Sequence, residues 1–218
     1  MHRLDPVQVR VLGCLLEKQR TTPDQYPLSL NSLRLACNQA TNRDPVLDLD
    51  EATVRDAVQR LGTVGWSRLA SGPGSRTAKY RQLFDEAVGL VPSESALLGV
   101  LMLRGPQTAA ELRARSERMH HFASVPEVES TLERLSEREL VRRQARRPGT
   151  REERWEQLLG DDETGAGVAI VPTPAESGSV LAAPGRSSQA LEERLAQIEA
   201  RLSELERALA PDSPDESL

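Results

Sequence analysis

The chain contains an internal copy of itself, and that repeat limits the folds open to it. "VRDAVQRLGTVGWSRL" from Val54 lies over "VESTLERLSERELVRR" from Val128 at an offset of 74. Pro73-Gly74 falls on Pro148-Gly149 within one residue. A duplicated module of about 75–80 residues accounts for both matches. A satisfactory fold must therefore be built twice from one plan.

The plan is legible in the first copy. Asp5-Pro6-Val7-Gln8 is a helix start, with Asp as cap, Pro in the first turn and Gln three residues after the cap. An apolar stripe through Val7, Val11 and Leu15 runs to about Lys18, where "TTPDQYP" breaks it. "LNSLRLACNQA" is a second helix with Leu30, Leu33 and Cys37 on one face, and a third starts near Asp50 with Val54, Val58 and Leu61 in register. Strand-like runs at 66–70 and 78–83 flank a Ser-Gly-Pro-Gly-Ser tip. The second copy repeats the order: an apolar helix over 93–103, capping boxes at Thr108/Glu111 and Ser124/Glu127, and a hairpin turning at Pro148-Gly149. Helix, helix, helix, hairpin is the order of a winged helix. The expected fold is mainly α with small β-hairpins (α+β), as tandem winged-helix domains over 1–86 and 92–159.

Residues 160–186 are rich in Gly, Ala, Pro, Ser and acid, and read as a disordered linker. Over 187–210, Leu191, Leu195, Ile198, Leu202, Leu205 and Leu209 are spaced 4, 3, 4, 3, 4, the seam of a coiled coil. Glu192, Glu199 and Glu206 then fall at e, with Arg194 and Arg201 at g. A parallel pairing sets Arg194 against Glu199 of the second copy, whereas an antiparallel one sets like charges together. The pattern predicts a parallel homo-oligomer, with 211–218 as a disordered tail.

The formal net charge of −5 conceals an asymmetry. Residues 1–160 hold 24 basic and 21 acidic side chains, against 4 and 12 in 161–218. The two cysteines, Cys14 and Cys37, form no Cys-x-x-Cys motif and read as reduced core thiols. His120 and His121 are adjacent, so their side chains diverge on a helix, and no metal site is expected. No phosphate loop follows a strand and no Gly-x-Ser-x-Gly elbow occurs, so neither an enzyme nor a cofactor is implied. No stretch approaches a membrane span, and "MHRLDPVQVR" lacks the apolar region of a signal peptide, so a cytoplasmic location is expected.

Two partner classes remain, double-stranded DNA and another protein. For DNA, the first hairpin carries Arg68, Arg76, Lys79 and Arg81 with no acid between Trp66 and Gln82. The second carries Arg142, Arg143, Arg146, Arg147, Arg151 and Arg154, offset by Glu152 and Glu153. Arginines beside a Gly-Pro tip suit phosphate contacts. Arg55 and Gln59 of the third helix are types that bond base edges. Against DNA, the third helix of the second copy carries Glu127, Glu129, Glu133 and Glu137 and reads as a protein-contact surface. The readings are thus a DNA-binding transcription regulator or an interaction scaffold.

"CNQATNRDPV" at 37–46 is too long for the short turn of a helix-turn-helix. It is expected to be an ordered polar loop, or a recognition loop presenting Asn38, Asn42 and Arg43 to a partner. Together with "LEKQRTTPDQYPLSLNSL" it resembles the YceH-like family of uncharacterised bacterial proteins, from about Leu4 through Leu159. That resemblance implies a tandem winged-helix fold and brings no catalytic residues with it.

Overall fold

The computed structural model describes residues 2–71, 77–144 and 153–160. In the first half, α1 (Pro6–Thr21) leads through a 3₁₀ turn (Pro23–Gln25) and β1 (Leu28–Ser29) to α2 (Leu30–Cys37), α3 (Glu51–Thr63), β2 (Ser67–Leu69) and β3 (Lys79–Gln82). A short α4 (Phe84–Val88) follows. The second half holds α5 (Pro92–Arg104), α6 (Ala109–Ser116), α7 (Val125–Glu137), β4 (Val141–Arg143) and β5 (Trp155–Gln157). Among the described residues the protein is therefore mainly helical, with seven α-helices and small antiparallel sheets.

Capping fixes where the helices start. Asp5 accepts the Gln8 backbone N–H at 2.8 Å while the Gln8 side chain accepts that of Asp5 at 3.0 Å. Thr108 and Glu111 repeat this reciprocal pair at α6. At α7 the arrangement differs from the one expected: Ser124 accepts from Glu127 N–H, but the Glu127 carboxylate reaches past the cap to the N–H of Ala123.

The repeat extends to backbone detail. At the offset of 74, Val54, Val58 and Leu61 correspond to Val128, Leu132 and Leu135, all buried. The helix-to-strand turn is made twice in the same way. Trp66 N–H donates to Leu61 O at 2.8 Å, and Leu140 N–H to Leu135 O at 3.0 Å. Gly65 and Glu139 take the same left-handed conformation there, at φ 78° and 56°. β3 lies between β1 and β2, with Leu28 opposite Tyr80 and Leu69 opposite Tyr80 from the other side. β5 likewise pairs with β4 and, through one bridge, with Gln107 just ahead of α6.

One core serves both halves. Every residue from Val7 to Leu16 of α1 is buried, and every residue from Glu94 to Leu103 of α5. A helix buried all round needs partners on all sides. Each of these two packs on its own half and on the other. Gly13 permits the close approach: a Cβ there would sit 3.0 Å from both Met102 Cβ and Leu103 Cγ. Two backbone bonds add to the junction, Asp44 N–H to Leu103 O at 2.9 Å and Leu4 N–H to Leu159 O at 2.8 Å. The boundary expected near residue 90 is thus a connection within a shared core. The expected linker beyond Gly160, coiled-coil helix over 187–210 and tail lie outside the described residues.

Candidate nucleic-acid interface

Side chains alternate along a strand, so register decides what the first sheet presents. Ser67 and Gln82 are opposite one another and buried, which makes theirs the core face. Tyr80 lies on that face and packs against the core. The opposite face carries Arg68, Lys79 and Arg81. Arg68 and Arg81 are directly paired across the strands. Like charges set opposite one another repel, and an anion between them relieves that repulsion. Arg81 has one carboxylate partner, Glu86, at 2.6 Å. Arg68 and Lys79 are exposed and have no ion-pair partner among the described residues.

The platform beneath these cations is fastened. Gln82 N–H donates to the Tyr26 hydroxyl at 2.6 Å, and the Gln82 side chain donates to Gln19 of α1 at 2.6 Å. Its carbonyl oxygen accepts the Asp85 N–H at the start of α4. Burial pushes the Tyr26 phenol up to about 12, so it stays a neutral acceptor. Arg76 lies outside the described residues.

On α3, Arg55 and Gln59 are exposed, as their positions away from Val54, Val58 and Leu61 require. Arg55 is held by Glu51 one turn earlier at 2.6 Å, and Arg60 by Asp5 at 3.2 Å. With Glu51 and Asp56 beside Arg55 and Arg60, the helix surface carries no excess of positive charge. The sheet face, by contrast, gathers Arg68, Lys79 and Arg81 with a single carboxylate partner among the described residues.

The second hairpin is different in kind. Arg142 is opposite Glu156 and bonded to it. Arg143 lies on the core side, where its guanidinium stacks 4.8 Å from the Trp155 ring centroid. It also pairs with Glu153 at 2.8 Å and lies 3.8 Å from Glu133 of α7. Arg154 pairs with Glu111 of α6 at 3.1 Å. A charge tally of the hairpin overlooks Glu156, because strand register is invisible to it. The described arginines of this hairpin are therefore neutralised internally. Arg146, Arg147 and Arg151 lie outside the described residues.

The loop at 38–50 is a structural brace, which corrects the alternative of a recognition loop for Arg43. From Ser29 to Thr108, the caps of α2 and α6, the offset is 79, but from Asp50 to Ser124 it is 74. The first half thus spends five extra residues here. Arg43 is buried and donates to Glu17 at 2.7 and 3.1 Å, to Ala36 O at 3.0 Å and to Gln39 at 2.9 Å. Burial disfavours the Glu17 carboxylate, but the bonds and charge of Arg43, with Lys18, more than offset it and hold Glu17 below its ordinary value. Asn38 clamps Leu49, donating to its carbonyl at 2.8 Å and accepting its N–H at 2.9 Å. Asn42, at φ 61°, accepts from Arg104 of α5 at 2.6 Å. Nothing in the apolar stripe of α1 marks out Arg10, yet it is buried and donates to Cys37 O and Pro45 O.

Comparison with known proteins places the chain in a family. Residues 4–150 match the family described as protein of unknown function, DUF480. The chain belongs to the DUF480 family. A UPF0502 protein of Pectobacterium carotovorum subsp. carotovorum (strain PC1) is 43% identical over 216 residues, covering 96% of this chain and 97% of that relative. A UPF0502 protein of Solibacter usitatus (strain Ellin6076) is 44% identical over 206 residues, covering 94% of each. A third, from Shewanella sp. (strain MR-4), is 44% identical over 210 residues, covering 93% of this chain and 94% of the relative. Each DUF480 relative is matched along nearly its whole length, so the likeness reaches past the repeated halves. Among the described residues no helix is long and apolar enough to cross a membrane.

Proposed function

We propose that this DUF480 protein is a non-enzymatic, cytoplasmic DNA-binding protein of the transcription-regulator kind. Each half is a winged helix, and the wing of the first half grips the phosphate backbone. One observation carries the reading: Arg68, Lys79 and Arg81 share the outward face of a braced sheet, and two of them lack any carboxylate partner among the described residues. Phosphate contacts supply affinity independent of sequence. Arg55 and Gln59 of α3 are the further contacts proposed, with Arg76, which lies outside the described residues. Winged helices usually set their third helix in the major groove. Here the balanced charge of α3 leaves the wing to supply the attraction.

A titration of the full chain against duplex DNA at several salt concentrations tests this. Replacing Arg68, Lys79 and Arg81 together by Ala should weaken binding to all sequences. It should also flatten the slope of log K against log salt by about 0.9 for each phosphate no longer neutralised. An unchanged slope would sink the proposal. It would favour the second reading, an interaction scaffold, which has its own support: Arg142 and Arg143 are neutralised by Glu156, Glu153 and Glu133. The heptads at 187–210 support a parallel homo-oligomer. Light scattering of a chain ending at Arg186 should then give the monomer mass.

A further inference from the structure

A second group of cations gathers where the halves meet, and the proposed DNA contact leaves it unused. Arg104 ends α5, Arg115 lies on α6 and Arg118 lies in the turn after it. All three line one cavity of about 210 Å³, together with Thr21 of α1 and Asn42 of the brace. Val100, Leu103 and Met119 supply its apolar lining.

Three arginines and a single carboxylate line the cavity. The one carboxylate in the lining, Glu17, is already engaged by two nitrogens of the buried Arg43. Arg115 reaches Glu111 only at 3.5 Å, and Glu111 is shared with Arg154 at 3.1 Å. Arg104 has a neutral partner, the Asn42 side chain. Arg118 has no hydrogen bond or ion pair among the described residues. Burial lowers the Arg104 pKa most, the nearby Arg115 charge lowers it further, and the Asp44 and Glu111 carboxylates offset this only in part. An anion placed among the three guanidinium groups offsets the repulsion between them.

We propose that this cavity binds a small organic anion, a phosphate or carboxylate group on a compact apolar body. Guanidinium forks match both groups in geometry. The volume is below the roughly 300 Å³ at which drug-sized pockets begin, so the ligand is no larger than a single ring with its acid. Its walls come from both halves, so the bound anion ties α1 and the brace of one half to α5 and α6 of the other. The five extra loop residues have a use in this: they bring Asn42 to Arg104 and complete the wall.

Calorimetric titration of the full chain with phenyl phosphate and with benzoate, at constant chloride ionic strength, tests the site. One or both should bind, and the stronger of the two identifies the acid group. Arg118→Glu should weaken that binding about tenfold or more, the worth of one charge-assisted contact. Arg118→Gln should weaken it less. Arg118 is exposed and without partners among the described residues, so both variants should keep the parent melting temperature. Arg68→Glu, on the wing, should leave anion binding unchanged, which separates this site from the proposed DNA contact. The inference is overturned if neither anion binds. It is equally overturned if Arg118→Glu binds them like the parent, or if that variant loses only duplex DNA affinity.

Discussion

Arg43 and Glu17 show how much a single polar residue can decide. The guanidinium is fully buried, and five hydrogen bonds consume its donors. Removing the charge of Glu17 leaves that cation uncompensated. Glu17→Gln should cost about 2–3 kcal/mol, at or below the roughly 3–5 kcal/mol of a fully buried pair, because Glu17 keeps some contact with water. The pH dependence has a definite sign. A carboxyl held below its ordinary 4.5 stabilises the fold fully above that value. That contribution is lost as pH falls through the folded value. Melting temperature measured from pH 7 to pH 3 should therefore drop more steeply for the parent than for Glu17→Gln. Parallel curves would show that the pair does not matter. None of this is legible in "CNQATNRDPV". Polar residues in a loop suggest a surface, and their burial depends on Glu17, 26 residues away. Asn38 is equally opaque, since its clamp on Leu49 is also long-range.

The elements are far easier to read, because helix stripes, caps and turn residues act locally. The order of helices and hairpins, the Asp5 and Thr108 boxes and the offset of 74 all follow from short-range patterns. β1 and α4 escape such a reading, being two and five residues long, too short to show a period. The offset also exposes a mismatch that neither copy shows alone. Gly65 and Glu139 fill equivalent left-handed positions between third helix and strand, but only glycine does so without strain. Nothing would lie within 4 Å of a Cβ added at Gly65, so backbone strain alone decides the substitution there. Gly65→Ala should therefore destabilise by about 1 kcal/mol, whereas Glu139→Gly should stabilise by about 0.5–1 kcal/mol. Chemical denaturation of the two variants checks both signs. A change of the same sign in both would mean that the turns are not equivalent.

At the scale of the molecule, the continuous apolar run of α5 is the informative signal. "SALLGVLML" shows no polar face, and a helix of that kind is covered on every side. Two independent domains would leave one side of it in water. The shared core follows, and with it a prediction about cooperativity. Residues 4–160 should unfold in one calorimetric transition, and a chain ending at Leu90 should not melt cooperatively because its α1 is stripped of α5. Gly13→Ala probes the same junction from within. Alanine gains about 1 kcal/mol in helix propensity, but its Cβ would lie 3.0 Å from Met102 Cβ, an atom fixed to the α5 backbone. The helices must separate, at about 1–3 kcal/mol, so the net effect should be destabilising. Hydrogen exchange locates that loss. If the core is shared, the slowest amides of α3 and of α7 should lose protection by the same free energy, although neither helix contains residue 13. Loss confined to α3 would show that the halves unfold separately.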